Sequence, residues 1–278
     1  NQRKSLKELN LLDKFLFDEA MDDPENVKTM LDIILSQNTN LKHPPQTEKE
    51  QRTSTDNRQI RLDVYAIDED DVIYEVEAQK ENTHNLPKRS RLYQGIIDSK
   101  LLPPGVADFN LLNEVLIVLI TPFDLFGYGL YRYTFQMRCE EVPELKLDDG
   151  ATRIFLNTRG KHPELVSPEL IELLKYMERS TDEVSGECKS KRIQEMHRRV
   201  CQIKASEKTE VKYMQAWEEQ IMIRQEGITE GRIEGEKIGR LRGKRELLEK
   251  LSDKFSIEQI SEMLEIDISE LKNIMKEI

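Results

Sequence analysis

The chain has 278 residues, enough for one core domain and an appendage, with 37% hydrophobic and 34% charged residues. That composition excludes a disordered chain, and no apolar run approaches the roughly 18–20 residues of a membrane span. A formal net charge of −11 argues against a strongly basic, non-specific nucleic-acid binder.

Leu6 to about Met21 reads as a helix, with Leu9, Leu12, Phe15 and Leu16 at helical spacing. Asp23-Pro24 opens a second, Asp23 as cap and Pro24 in the first turn, with Val27, Met30, Leu31 and Ile34 as its apolar positions. His43–Arg58 is polar and holds two prolines, and reads as a loop. Arg61–Ile67 and Val72–Gln79 read as an antiparallel strand pair around the acidic turn Asp68–Asp71. Pro87 opens a helix to about Leu102. Val115–Ile120 is a continuous apolar run that predicts a buried central strand reached by a crossover. Tyr131–Cys139 alternates as a strand, and Arg153–Asn157 is a further short one.

Past Pro168 the chain becomes helical: Glu169–Arg179, then a long charged helix or helix pair from Glu187 to about Gln225. Gly227, Gly231, Gly235, Gly239 and Gly243 follow at every fourth residue. On a helix they form a slowly rotating ridge that costs about 1 kcal/mol per glycine relative to alanine. The ridge suits either close helix–helix approach in a homo-oligomer or a marginal helical linker. Two short helices close the chain, with Ser256/Gln259 and Ser269 as capping signals and Glu265–Ile268 as the turn. Lys272 and Lys276 alone on the second make it a weak DNA reader, so a small apolar docking or dimerising unit fits better. The resulting division is 1–183 as core domain, 184–253 as a helical region with the glycine repeat, and 254–278 as a helix-turn-helix-like unit.

Cys139, Cys188 and Cys201 follow no zinc or disulfide spacing, and His43, His84, His162 and His197 form no ligand pair. Free thiols and the absence of a hydrophobic leader in NQRKSLKELN predict a cytoplasmic protein.

The chemistry lies in the strand pair. Ile73, Glu75, Glu77 and Gln79 share one face of the second strand, and Asp63 shares a face with Arg61 and Tyr65 in the first. Two acids on adjacent strands can hold Mg²⁺, or Mn²⁺, through carboxylate oxygen. Gln79, two residues on, faces the same pocket and can orient a water or a phosphate oxygen. Register decides whether they meet. A turn of two or four residues sets Asp63 opposite Val76, facing away from Glu77, whereas an odd turn or a bulge sets it opposite Glu77 or Glu75. An odd turn or bulge is therefore expected. The spacing alone equally describes a solvated acidic face, with Glu75 as one of its residues.

RLDVYAIDEDDVIYEVEAQK (Arg61–Lys80) and NLPKRSRLYQGIIDSKLL (Asn85–Leu102) resemble the PD-(D/E)XK nuclease family transposases, the Rpn-type recombination-promoting nucleases. LNLLDKFLFDEAMDDPENVKTMLDIIL, PPQTEKE, TPFDLFGYGLYRYTF and RIFLNTRG are also similar to members of that group, so the resemblance spans roughly Leu9–Val184. It implies an α/β restriction-endonuclease-like core, a mixed sheet flanked by helices, and Mg²⁺-dependent DNA cleavage in a bacterial recombination setting. Asp63 then matches the first acid of the motif and Glu77 the second. Gln79 stands where the wider superfamily has Lys, although the Rpn-type group commonly has Gln. Substrate contact falls to Lys80, Arg89, Arg91 and Tyr93. Arg89 and Tyr93 share a helix face, and Lys80 points to the other sheet face in a regular strand. A catalytically weak DNA-binding or assembly protein on the same scaffold is the alternative, since neutral Gln79 supplies no charge to a transition state.

Overall fold

In a computed structural model of the chain, which describes residues 3–51 and 60–276, the first helix is shorter than its periodicity predicts. Helix α1 spans Lys14–Met21. The preceding backbone is held from outside instead: Leu11 N–H donates to Ser180 Oγ (2.9 Å) and Leu12 N–H to the carbonyl of Met177 (3.1 Å). Helix α2, Pro24–Leu35, follows its signals, with the Asp23 carboxylate accepting from the Glu25 N–H and Ser36 ending the helix in the left-handed region.

Six strands form one mixed sheet: β1 (Gln46–Gln51), β2 (Ile60–Ile67), β3 (Ile73–Ala78), β4 (Val115–Thr121), β5 (Arg132–Phe135) and β6 (Ala151–Asn157), in the order β1-β2-β3-β4-β6-β5. β3–β4 and β4–β6 pair parallel and the other neighbours antiparallel. Helix α3, Leu86–Asp98, is the crossover from β3 to β4. The apolar β4 is central and buried, as such a run requires. The architecture is thus mixed α/β, a mixed sheet flanked by helices.

Two strand expectations change. Gln46–Gln51 is an edge strand, not loop; its sequence QTEKEQ is polar because only one side is paired, and Lys49 lies 3.4 Å over the Tyr65 ring. The rest of that expected loop lies largely outside the described residues. The expected strand Tyr131–Cys139 shortens to β5, because its ladder with β6 ends at Phe135↔Arg153 and the rest turns to an isolated bridge, Arg138↔Lys146. Tyr133 enters the core, whereas Met137 is exposed.

Tyr65, Ile73, Tyr93, Ile96, Ile97, Val115, Ile117, Leu119, Tyr133 and Phe155 build a core between one sheet face and α3. Val64, Tyr74, Val76, Val118, Ile120 and Ile154 are buried on the other face. Helices α4 (Pro168–Glu178), α5 (Asp182–Glu187) and α6 (Lys191–Lys204) pack together, and α6 also meets α1 and α2.

The chain divides into two compact units, Asn1–Glu210 and Val211–Ile278. That division falls beyond the 183 read from the sequence, because α5 and α6 are tied to the first unit: Arg199 donates to Asn26 Oδ1 (3.2 Å) and Lys204 to the carbonyl of Ser180 (2.9 Å). Helix α7 runs unbroken over Glu207–Ser252 and contains all five repeated glycines. In the second unit, Leu248 packs with Ile260 of α8 (Ile257–Leu264) and Leu271 of α9 (Ile268–Lys276). Ser256 and Gln259 make the expected capping box. Ser269 lies inside α9 instead of capping it, and the Asp267 carbonyl accepts from the Leu271 N–H at 3.0 Å. Among the described residues no helix is long and apolar enough to cross a membrane.

A methyl group added at any of the five α7 glycines meets nothing within 4 Å. Among the described residues of the second unit, then, the ridge has no packing duty that alanine would break. Replacing Gly231, Gly235 and Gly239 together by alanine is expected to raise the helix signal in circular dichroism and to stabilise the helix by about 1 kcal/mol per site. A loss of helicity, or a drop in molecular mass by light scattering, would instead show that glycine is needed for contact with a second helix.

Candidate metal centre on the sheet

The loop between β2 and β3 is odd. Asp68 and Val72 close it through the Asp68 N–H and the Val72 carbonyl (3.1 Å), leaving Glu69, Asp70 and Asp71 between them. The Asp68 carboxylate stiffens the turn by accepting from the N–H groups of Asp70 (3.0 Å) and Val72 (2.9 Å), and Asp71 takes a left-handed φ of 63°. The register that results pairs Ile67 with Ile73 and Val64 with Val76. One step further it sets Asp63 opposite Glu77. Alternation then puts Asp63, Tyr65, Glu75, Glu77 and Gln79 on the side of the sheet that α3 covers. The odd turn expected from the sequence is the one that forms.

The acids are deeply placed. Glu75 is 0% exposed, Asp63 6% and Glu77 7%. Two cations meet them. Lys14, in the first turn of α1, forms an ion pair with Asp63 and lies 3.2 Å from Asp18. Arg89, in the first turn of α3, reaches down with one Nη, which donates to Glu77 Oε1 (2.5 Å) and to Gln79 Oε1 (2.7 Å). Gln79 passes the bond on, its amide NH₂ donating to the Glu81 carbonyl at 2.7 Å. The Arg89 guanidinium also stands 5.9 Å from the ring of Tyr93, one turn along the helix.

These partners do not satisfy the cluster. Both carboxyl oxygens of Glu75, Oε2 of Glu77 and Nε of Arg89 are buried without a hydrogen-bond partner. A buried, unpartnered carboxylate is costly, and such a group retains its proton instead. Burial, reinforced by the charges of Glu77 and Asp63, holds the Glu75 carboxyl well above the usual range. Burial likewise lifts Glu77 to about 7; Arg89 opposes the shift and Asp63 adds to it. For Lys14 the penalty of burial is outweighed by the Asp63 and Asp18 carboxylates, so its ammonium is held above its ordinary value. Burial, then the Glu77 charge, raises the Tyr93 phenol.

A divalent cation suits this donor set in one respect and competes with it in another. The orphaned oxygens of Glu75 and Glu77 lack the positive charge that a hard cation supplies, and Mg²⁺ ordinarily uses one or two carboxylates plus water. Asp63 and Glu77 already hold Lys14 and Arg89, which a cation would displace. Nor do the three acids form a closed cage: among the described residues, the one set of three ligand groups with all donor atoms within 4.8 Å is Asp182, His197 and Cys201.

Of the residues singled out in the sequence, Asp63, Glu77, Gln79, Arg89 and Tyr93 come together. Lys80 and Arg91 do not. Lys80 points to the opposite sheet face, where it donates to Asp13 at 2.5 Å, and Arg91 is exposed on α3. Two members were missed. Glu75 was legible as a residue on the same strand face as Glu77, but its burial was not. Lys14 carries no local signal, since it arrives from a helix 49 residues away in sequence.

Arg89→Met leaves Glu77 buried without its cation. It is expected to destabilise the first unit by about 2 kcal/mol at pH 8, where the unfolded chain ionises Glu77 but the folded variant holds its proton more tightly still, and by clearly less at pH 5, where Glu77 keeps its proton with or without Arg89. Urea unfolding at the two pH values measures this, and equal losses would mean that the ion pair is not what the variant removes. No family model, no curated protein and no solved structure matches the chain.

Proposed function

We propose that this chain is a divalent-metal-dependent DNA endonuclease on a PD-(D/E)XK core, with Asp63 and Glu77 as the ligands of Mg²⁺ or Mn²⁺. The observation that carries the reading is the convergence of Asp63 and Glu77 from adjacent strands, with Gln79 beside them, onto buried carboxylate oxygen that lacks a partner. The β2–β3–α3 arrangement supports it, since one continuous stretch delivers both acids, the polar third residue and the arginine.

Bound there, a divalent cation supplies two things: an easily deprotonated water and stabilisation of charge on the phosphate. The chain's own groups do the rest. Glu77, lifted to about 7, exchanges a proton near neutral pH and ionises fully once a cation replaces the proton. Arg89, released from Glu77, presents its guanidinium to a phosphate oxygen, a geometry its planar fork favours. Gln79 is neutral and orients by hydrogen bonds alone. Tyr93 stacks beside Arg89 and restricts its swing. DNA is the proposed partner.

The second reading, a DNA-binding or assembly protein with little or no catalysis, has its own observation. Lys14 and Arg89 already neutralise Asp63 and Glu77 from within the chain, so the fold can close without metal. Incubating supercoiled plasmid with the pure protein and Mg²⁺ tests the choice. Nicking that requires Asp63 supports the nuclease; no nicking, together with no Mg²⁺ or Mn²⁺ uptake dependent on Asp63 and Glu77, selects the second reading.

A further inference from the structure

Away from the sheet cluster, α5 and α6 bring together a second set of ligand-bearing side chains. We infer that Asp182, His197 and Cys201 form a binding site for a transition-metal cation of the Zn²⁺ class. His197 and Cys201 are four residues apart on α6 and therefore share a face. Asp182, at the start of α5, meets them from the facing helix. His197 Nε2 lies 2.8 Å from Asp182 Oδ1 and 3.4 Å from Cys201 Sγ, and Cys201 Sγ lies 3.9 Å from Asp182 Oδ1. A tetrahedral zinc ion with nitrogen, oxygen and thiolate ligands keeps those atoms roughly 3.3–3.6 Å apart. The three observed separations bracket that span, so small side-chain adjustments suffice to admit the ion.

The surroundings of the histidine are those of a ligand. Its other nitrogen, Nδ1, faces the Tyr176 hydroxyl at 2.9 Å, and the tyrosine ring packs edge-on at 5.5 Å. That contact fixes the ring's orientation and leaves Nε2 directed at the other two groups, the role that a hydrogen-bonded partner of a metal-binding histidine performs. Tyr176 and His197 are buried, whereas the Asp182 side chain is 95% exposed. The site therefore has a rigid inner wall and an outer side open to a water as fourth ligand. One imidazole, one thiolate and one carboxylate select a borderline cation over Mg²⁺, which prefers oxygen throughout. Burial and then Asp182 hold the Cys201 thiol proton on in the metal-free state, and Lys204, bonded to the Ser180 carbonyl, opposes them only in part. Cys188 is turned away, its Sγ donating to the Val184 carbonyl.

Cobalt(II) is the probe, because a thiolate ligand gives it a charge-transfer absorption that all-oxygen ligation does not. The full chain, kept reduced with a phosphine, is titrated with Co²⁺ alone and then with Zn²⁺. The expected result is one equivalent of thiolate-bound cobalt, displaced by zinc, with the absorption lost in Cys201→Ser and kept in Cys139→Ser. Asp182→Asn, a change at an exposed residue that leaves folding intact, is expected to weaken binding about 10-fold, as is Tyr176→Phe, which loosens the histidine. The absorption should persist in Asp63→Asn, which separates this site from the one on the sheet. No thiolate-to-cobalt absorption, or the same absorption in Cys201→Ser, overturns the proposal and leaves Tyr176–His197–Asp182 as a hydrogen-bond network only.

Discussion

Asp63→Asn is expected to lower Mg²⁺-dependent nicking of supercoiled DNA by roughly 10³-fold while leaving the fold in place. The magnitude follows from what is removed. A catalytic cation contributes several kcal/mol of transition-state stabilisation, and each 1.4 kcal/mol is a factor of ten in rate. Asn keeps the shape of Asp63 and a hydrogen-bonding oxygen for Lys14, but loses the charge with which Asp63, on the proposed reading, would share a cation with Glu77. Glu77→Gln should cost as much, since it removes the opposing ligand. Gln79→Ala should cost less, because a neutral amide contributes orientation alone. Gel densitometry of relaxed against supercoiled plasmid reads the rates, and adding a chelator to the unaltered chain should reproduce the Asp63→Asn result. Equal nicking by Asp63→Asn would mean that the activity resides elsewhere or in a contaminant, and the nuclease reading would fall.

How far the sequence reaches differs from element to element. Local features were readable: the Asp23-Pro24 start of α2, the Ser256/Gln259 cap of α8 and the apolar β4 all follow from rules that act within a few residues. The pairing of Asp63 with Glu77 was readable only as a condition: parity says that an odd turn brings the acids to one face and an even one parts them, and the turn's length is what the structure adds. What escaped was set by distant chain. Leu11 and Leu12 leave the helix because Met177 and Ser180 hold their backbone. Glu75 could be assigned to a face but not to a depth, since the covering of that face by α3 and the flanking of β3 by β4 are tertiary facts. Residues 46–51 are polar on both faces and so lack the alternation by which a half-buried strand announces itself. His197 and Cys201 had a visible four-residue spacing, but Asp182 completes their set only through the packing of α5 on α6.

The buried acids also predict how the first unit responds to pH. Glu77 has an ordinary value of 4.5 and a folded value of about 7, and burial moves Glu75 in the same direction. A raised folded value means that the native state binds the proton more tightly than the unfolded chain does. The associated stability is therefore complete below pH 4.5 and is lost as pH climbs through 7. For Glu77 alone the loss is on the order of 3 kcal/mol, which for a unit of this size lowers the melting temperature on the order of 10 °C. Carboxylates with lowered values, such as Glu169 beside Arg192 and Glu178 beside Arg159, act in the opposite direction and only on the acid side of 4.5, so the two regimes do not overlap. Thermal melts from pH 5 to pH 8 should accordingly show a falling midpoint, and Glu77→Gln should flatten the slope because its amide has no proton to lose. Mg²⁺ supplies the decisive comparison. If the cation takes the place of the proton, a concentration 100 times its dissociation constant should restore about 2.7 kcal/mol at pH 8 and little at pH 5, where protonated Glu77 is a poor ligand. A midpoint insensitive to pH over this range would contradict the burial of ionisable charge at Glu77. Equal protection of Glu77→Gln by Mg²⁺ would place the cation away from the sheet, and would leave Arg89 and Lys14 as the permanent counter-charges of a site that never exchanges them.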